Sequence, residues 1–194
     1  PYNKDTKISV FGRCQLDYFY VGYGSGGDVN APYFVNVIDG IKNACGKVNE
    51  WLLNYYKDFS KNNPAPHGFW GHWPMSFEEP HLDDETVKRA SEESDVALVV
   101  IGRAAGEDRE NTLTKGSYYL TDEERKLLDQ VCNNFSNVTV LLDCGNVIDM
   151  QWVLDYNDRL RGIIYAWQGG MESGNAIADV LYGKVCLLYT SDAA

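Results

Sequence analysis

Residues 102–120, GRAAGEDRENTLTKGSYYL, follow the uninterrupted apolar run DVALVVI at residues 95–101. Past two glycines come five ionisable side chains: Glu107, Asp108, Arg109, Glu110 and Lys115. A plain turn needs no more than one glycine and one Asp or Asn. Loops at the carboxyl ends of parallel strands are where α/β proteins keep their chemistry. A carboxyl group such as Glu107, held there beside glycine, could give or take a proton at the mouth of a cleft. Arg109 could fix or pair it, because a guanidinium fork matches a carboxylate. The bland reading is a solvated charge cluster on a surface loop, and the loop alone leaves both open.

Other residues invite chemistry and carry it less well. GYGSGG at residues 22–27 is similar to a dinucleotide fingerprint, but there the first glycine follows the strand at once and the last opens the helix. Here residues 12–21, including the aromatic run DYFY, separate the strand from the glycines. The loop is better read as one that lets backbone approach another surface closely. His67, His72 and His81 match no helical zinc pair and have Pro and Gly between them. Cys14, Cys45, Cys132, Cys144 and Cys186 are scattered without a CxxC, which favours free, buried thiols in a reducing compartment. No metal and no cofactor are expected, and nothing catalytic is read into Ser94-Asp95, which can orient a strand start.

The elements that must position the loop follow from the apolar pattern. Residues 7–11, KISVF, read as a short buried strand ending at Gly12. The segment that follows becomes helical, with Asn30 placed to cap, Pro32 in the first turn and Gly46 to stop it. Phe34, Val37, Ile38 and Ile41 then share a face. Residues 47–51 read as a second strand, and residues 52–80, rich in Pro, Gly and aromatics, as an irregular insertion. A short helix at 83–93 leads into the strand 96–101. Thr121 opens a capping box with Glu124, and its helix runs to about Phe135 with Leu127, Leu128 and Val131 inward. Strands at 138–142 and 161–166, a helical piece at 151–156 and a helix at 174–182 complete the pass. Strands separated by helices, apolar without alternation, indicate an α/β fold: a three-layer α/β/α sandwich with a mainly parallel sheet of about five to six strands. With 44% hydrophobic residues, 13 tyrosines and five tryptophans, disorder is excluded. A net charge of −11 argues against nucleic acid or an anionic membrane surface as partner. No run reaches the roughly 18 apolar residues of a membrane span.

Together, GYGSGGDVNAPY, the strand with GRAAGEDREN and KGSYYLT, VLLDCGNVIDM and WQGGMESGNAIADVLYGKV make the chain resemble the α/β-sandwich domain of glycoside hydrolase family 3. The resemblance runs from Lys7 to Val185. It implies a β-glucosidase-like retaining β-glycosidase acting on terminal β-linked sugars, in a small oligosaccharide or an aryl β-glycoside. In that family a barrel domain supplies an Asp nucleophile within a Ser-Asp-Trp-like motif, and the sandwich supplies the general acid/base on a loop. The loop position falls on Glu107, between Gly106 and Asp108-Arg109. A sugar-contact role falls on Ser25, with Asp108 and Arg109 also on the substrate side. No Ser-Asp-Trp occurs here and no barrel could fit, so the barrel of the same polypeptide is an implied partner. Such a mechanism needs an ionised carboxylate and a protonated carboxyl about 5 Å apart.

The chain departs from the family pattern in two places. Many relatives carry Gly-Tyr after the Glu, with the tyrosine near the leaving group, whereas this chain has Asp108-Arg109. After GKV the family continues Asn-Pro-Ser-Gly, but this chain ends CLLYTSDAA, which a stretch similar to a transposon-based sequencing adapter would encode. The expectation is a sandwich domain over residues 1–185, incomplete at both ends, and a non-native tail over 186–194. The chain would then be a fragment of a metagenomic reading frame, from the bacterial cytoplasm, with export left open because the sequence begins at Pro1 without Met. The reading from another class is a non-catalytic α/β domain that binds a carbohydrate or nucleotide.

Overall fold

The computed structural model describes residues 1–185 apart from Asp28 and Asn157, so the tail lies outside the described residues. Among the described residues there are five strands: β1 Lys7–Phe11, β2 Lys47–Val48, β3 Val96–Arg103, β4 Val138–Cys144 and β5 Leu160–Tyr165. They form one sheet in the order β2-β1-β3-β4-β5, and every neighbouring pair is parallel. The helices are α1 Val37–Asn43, α2 Glu50–Asn62, α3 Asp84–Glu92, α4 Asp122–Asn134 and α5 Ser173–Leu181. Short 3-10 turns at Arg13–Gln15 and Gln151–Asp155 join them.

The expected three layers are observed. β3 and β4 are buried along their whole length, which is why their sequences do not alternate in polarity. Ala97, Val99 and Ile101 of β3 face one layer, built with Leu52 and Tyr56 of α2, Val87 of α3, and Leu127, Leu128 and Val131 of α4. Val96, Leu98 and Val100 face the other, with Val37, Ile38 and Ile41 of α1 and Ile177 and Leu181 of α5. The capping box at Thr121 is formed: its side chain accepts from the Glu124 N–H, and the Glu124 carboxylate accepts from the Thr121 N–H at 2.8 Å. Asp95 does orient a strand start, accepting from the Lys7 N–H at 2.7 Å.

Three sequence expectations are corrected. α1 begins at Val37 with Asn36, not Asn30, as its cap, the Asn36 side chain accepting from the Asp39 N–H. The preceding residues are drawn off the helix axis, since Val35 N–H donates to Met171 O, Gly174 N–H donates to Val35 O, and Phe34 stacks on Tyr20. The strand expected over 47–51 is only two residues long, and the chain turns at Asn49 straight into α2, where irregular structure was expected. Asn49 makes this abrupt change possible: its N–H donates to Ile8 O, while its buried amide bonds Ser9 and Ser94. The irregular insertion therefore occupies residues 63–83 alone. Cys14, Cys132 and Cys144 are free and buried, whereas Cys45 is free and exposed. Among the described residues no helix is long and apolar enough to cross a membrane.

α1 and α5 meet backbone to backbone. A Cβ on Gly40 would lie 1.9 Å from Gly174 O, and one on Gly174 would lie 2.0 Å from Asn36 O. Only glycine at both positions permits this approach.

Candidate active site

From β1 the chain moves one way, through α1, to β2, and then crosses to β3 on the far side of β1. In an open parallel sheet such a reversal leaves a crevice beyond the carboxyl ends of the two central strands, and ligands bind there. The loops that border it are residues 12–36 after β1 and 104–121 after β3. These carry the glycine loop and GEDREN. They meet directly: Tyr23 N–H donates to Ala105 O at 2.8 Å, and Glu107 N–H to Tyr23 O at 3.1 Å.

This short parallel pairing sets Ser25 against Glu107. The Ser25 N–H donates to Glu107 Oε2 at 2.8 Å, and the Ser25 hydroxyl donates to the same oxygen. Gly24 makes room, with φ of 107° and a position where a Cβ would stand 2.5 Å from Glu107 Cβ. Both partners are exposed. Asp108 follows with φ of 56°, a left-handed conformation that Asp tolerates. The turn it makes closes through Arg109 N–H to Gly106 O at 3.2 Å. The Arg109 guanidinium donates to the Trp73 carbonyl at 3.0 Å, so it braces the neighbouring loop. Trp73 in turn lies parallel to Tyr23, with ring centroids 5.5 Å apart, and meets Trp70 edge-on. The glycine loop thus does approach another surface closely, and that surface is the GEDREN loop.

The sequence reading gave no part in the site to Asn146, which lines the crevice, or to Trp167, Arg103 and Glu124, which stand outside its lining. Asn146, just after β4, stands there with Gly22, Tyr23, Ser25 and Glu107; its amide donates to Ala104 O at 3.2 Å. Trp167, after β5, is half exposed, has φ of 56° and packs on Tyr165. A bulky residue in that backbone region is uncommon, and such outliers cluster at functional sites. Arg103 and Glu124 anchor the long loop from below as a buried, two-pronged ion pair, both contacts 2.6 Å. Arg103 also donates to the carbonyls of Ser117 and Tyr119, which pins the return limb of the loop. A charge closing an otherwise apolar strand was the signal available for it.

Ionisation separates the exposed acid from the buried ones. The Ser25 hydroxyl, then its N–H, hold the Glu107 carboxyl below its ordinary value, so in this chain it is ionised at neutral pH. Burial pushes Asp143 well above the usual carboxylate range, although its carboxylate accepts from Phe19 N–H at 2.8 Å. Burial likewise raises Glu79 to about 8, against the N–H of Arg13 that it accepts. Both serve as internal braces: Asp143 ties the start of the glycine loop to β4, and Glu79 ties Arg13 and Tyr56 together.

Sandwich and crevice together define a parallel α/β domain whose polar groups converge at the point where strand order reverses. Residues 1–186 match the C-terminal domain of glycosyl hydrolase family 3, and the chain belongs to that family. It is 45% identical over 186 residues to a beta-glucosidase of Ruminococcus albus, covering 95% of this chain and 19% of that protein. It is 31% identical to beta-glucosidase A of Butyrivibrio fibrisolvens, covering 95% and 24%. The crystal structure of a beta-glucosidase from Paenibacillus barengoltzii superimposes with a TM-score of 0.92 at 45% identity, over 95% of this chain and 20% of that one. Beta-glucosidase 3B from Thermotoga neapolitana, in complex with glucose, gives 0.85 at 30% identity, over 95% and 26%. The chain spans about a fifth to a quarter of the length of these relatives.

Proposed function

We propose that this chain is the acid/base half of a retaining β-glycosidase, which releases terminal β-linked sugars from a small oligosaccharide or an aryl β-glycoside. The nucleophilic carboxylate comes from a barrel domain of the same polypeptide. The observation that carries the reading is the placement of Glu107: it stands exposed on the switch-point crevice, with one carboxylate oxygen held by Ser25 and, among the described residues, no hydrogen bond to the other. Asp108 and Arg109 shape the turn beside it on the substrate side.

The chemistry runs in two steps. As the barrel carboxylate attacks C1, the C1–O bond breaks with its electron pair going to the leaving oxygen, and Glu107 supplies the proton. Glu107, now ionised, then takes a proton from the water that attacks C1 and displaces the nucleophile. In the chain alone Glu107 is ionised, the wrong state for the first step. A second carboxylate about 5 Å away and the exclusion of water both disfavour its charged form, so docking of the barrel is what turns it into an acid.

The test is Glu107→Ala in the full-length enzyme. Substrates with poor leaving groups should lose about 10²–10⁴-fold in rate, the usual worth of positioned acid catalysis. Aryl glycosides with acidic leaving groups should suffer far less in glycosylation, and added azide should restore the slow second step as a β-glycosyl azide. Wild-type behaviour of Glu107→Ala, with this pattern shown by Asp108→Ala or Glu110→Ala, would remove Glu107 from the role.

A further inference from the structure

Both donors of Ser25, its hydroxyl and its backbone N–H, converge on a single oxygen of Glu107, and among the described residues its side chain makes no other hydrogen bond. We propose that Ser25 is a positioning residue for the acid/base carboxyl, holding Oε2 so that Oε1 alone carries the proton to and from the reacting oxygen. The inference rests on the acid/base reading of Glu107.

The argument begins with donor counting. A serine offers one hydroxyl proton and one backbone N–H. With both directed at Oε2, a proton placed on that oxygen would face the fixed Ser25 N–H, and it sits on Oε1 instead. In the first step the proton therefore leaves Oε1 as the C1–O bond breaks and its electron pair passes to the leaving oxygen. In the second step Oε1 takes a proton from the attacking water. Ser25 Oγ keeps only acceptor capacity, so a sugar hydroxyl that reaches it must donate. Sugar O–H, Ser25 Oγ–H and Glu107 Oε2 then form one directed chain, which couples sugar occupancy to the orientation of the acid.

The backbone makes the arrangement specific. Gly24, with φ of 107°, brings the Ser25 N–H to Glu107 across a gap that a side chain would close. The paired backbones of Tyr23 and Gly106 fix the register of the two loops. Other groups around the carboxyl leave the task to Ser25. Arg109 is directed to the Trp73 carbonyl, and Asp108 and Glu110 are exposed on the same loop. Tyr23 of the glycine loop and Asn146 of the loop after β4 line the crevice, the Tyr23 ring stacking on Trp73 and the Asn146 amide donating to Ala104 O, and Trp73 lies against Gly106. Among the described residues, the downward displacement of the Glu107 carboxyl is caused by Ser25 alone.

The test uses this chain with ¹³C-labelled glutamate, the Glu107 carboxyl being assigned by its loss in Glu107→Gln. Its titration midpoint should rise in Ser25→Ala and stay near wild type in Ser25→Thr, which keeps the hydroxyl. Unchanged amide spectra away from the two loops certify the fold. An unmoved midpoint in Ser25→Ala overturns the proposal, as does an equal rise in Ser25→Thr. In the full-length enzyme the alkaline limb of the kcat/KM profile should move to higher pH in Ser25→Ala. A raised KM with the limb in place would leave Ser25 a sugar contact only and overturn its positioning role. The titration makes no use of turnover, so its failure is distinct from a failure of the acid/base reading, which shows in the Glu107→Ala rates.

Discussion

Replacing Arg103 by Met should be among the most damaging single changes in this domain, although Arg103 touches no part of the crevice. Its guanidinium makes two 2.6 Å contacts with Glu124 and donates to the carbonyls of Gly102, Ser117 and Tyr119. Met fills much of the volume but supplies none of these donors. The Glu124 carboxylate, almost fully buried, would keep, among the described residues, only the Thr121 N–H at 2.8 Å. Removing one partner of a buried ion pair costs about 3–5 kcal/mol, against a total stability of roughly 5–15 kcal/mol. At about 2–4 °C per kcal/mol for a domain of this size, the midpoint should fall by about 6–20 °C. Thermal melts of the purified chain read this, with urea titrations as a second measure. The companion variant Arg103→Met/Glu124→Gln removes the stranded charge and keeps a capping-box side chain, so it should recover a substantial part of the loss. A single variant within about 1 kcal/mol of wild type, or a double variant no better than the single, would refute the account of what anchors the loop.

The remaining predictions concern pH, geometry and turnover. Glu79 rises from 4.5 to about 8, so its contribution is fully present below about pH 4.5 and is lost as pH climbs through 8; burial raises Asp143 in the same sense. Unfolding free energies at pH 5, 6.5 and 8 should therefore fall, and Glu79→Gln should flatten the slope. Gly24→Ala should displace the Glu107 loop and cost the full-length enzyme about 10²-fold in kcat/KM. Gly26→Ala, where a Cβ meets nothing within 4 Å, should cost little; equal effects in kinetic assays would contradict the geometry. If, as proposed, the nucleophile lies on a barrel domain, the chain alone should show no turnover of an activated aryl β-glucoside, and activity that survives repurification but disappears in Glu107→Ala would overturn the two-domain mechanism.

Much of this architecture was legible because buried parallel strands announce themselves. VALVVI and VTVLL are too apolar to face water on either side, and TDEE before a periodic run marks a helix start. The start of α1 was not legible, because Asn30 and Pro32 make as good a local signal as Asn36. What decides between them is the backbone contact of Gly40 with Gly174, 134 residues away. α2 escaped notice because Asn49 serves as strand end, turn and helix entry at once, leaving no glycine or proline to mark the change. Glu107 could be singled out from its position after a buried strand. Its bond to Ser25 could not, since it exists only because β1 and β3 are neighbours, with β2 placed outside them. Ser25 itself came from family resemblance, and Arg103 was hidden by being read as part of a charged loop.

The backbone contact between α1 and α5 also sets the order in which the domain can be completed during synthesis. Val37, Ile38 and Ile41 leave the ribosome well before the helix that covers them, which ends at Leu181, whose carbonyl accepts from the N–H of Tyr2. Until α5 emerges, the apolar stripe of α1 is uncovered and open to chaperones or to other nascent chains. The layer of α2, α3 and α4 packs with residues no later than Tyr165, so the two faces of one sheet mature at different times. A chain halted between residues 166 and 172 would carry the complete Glu107 loop on a half-closed domain.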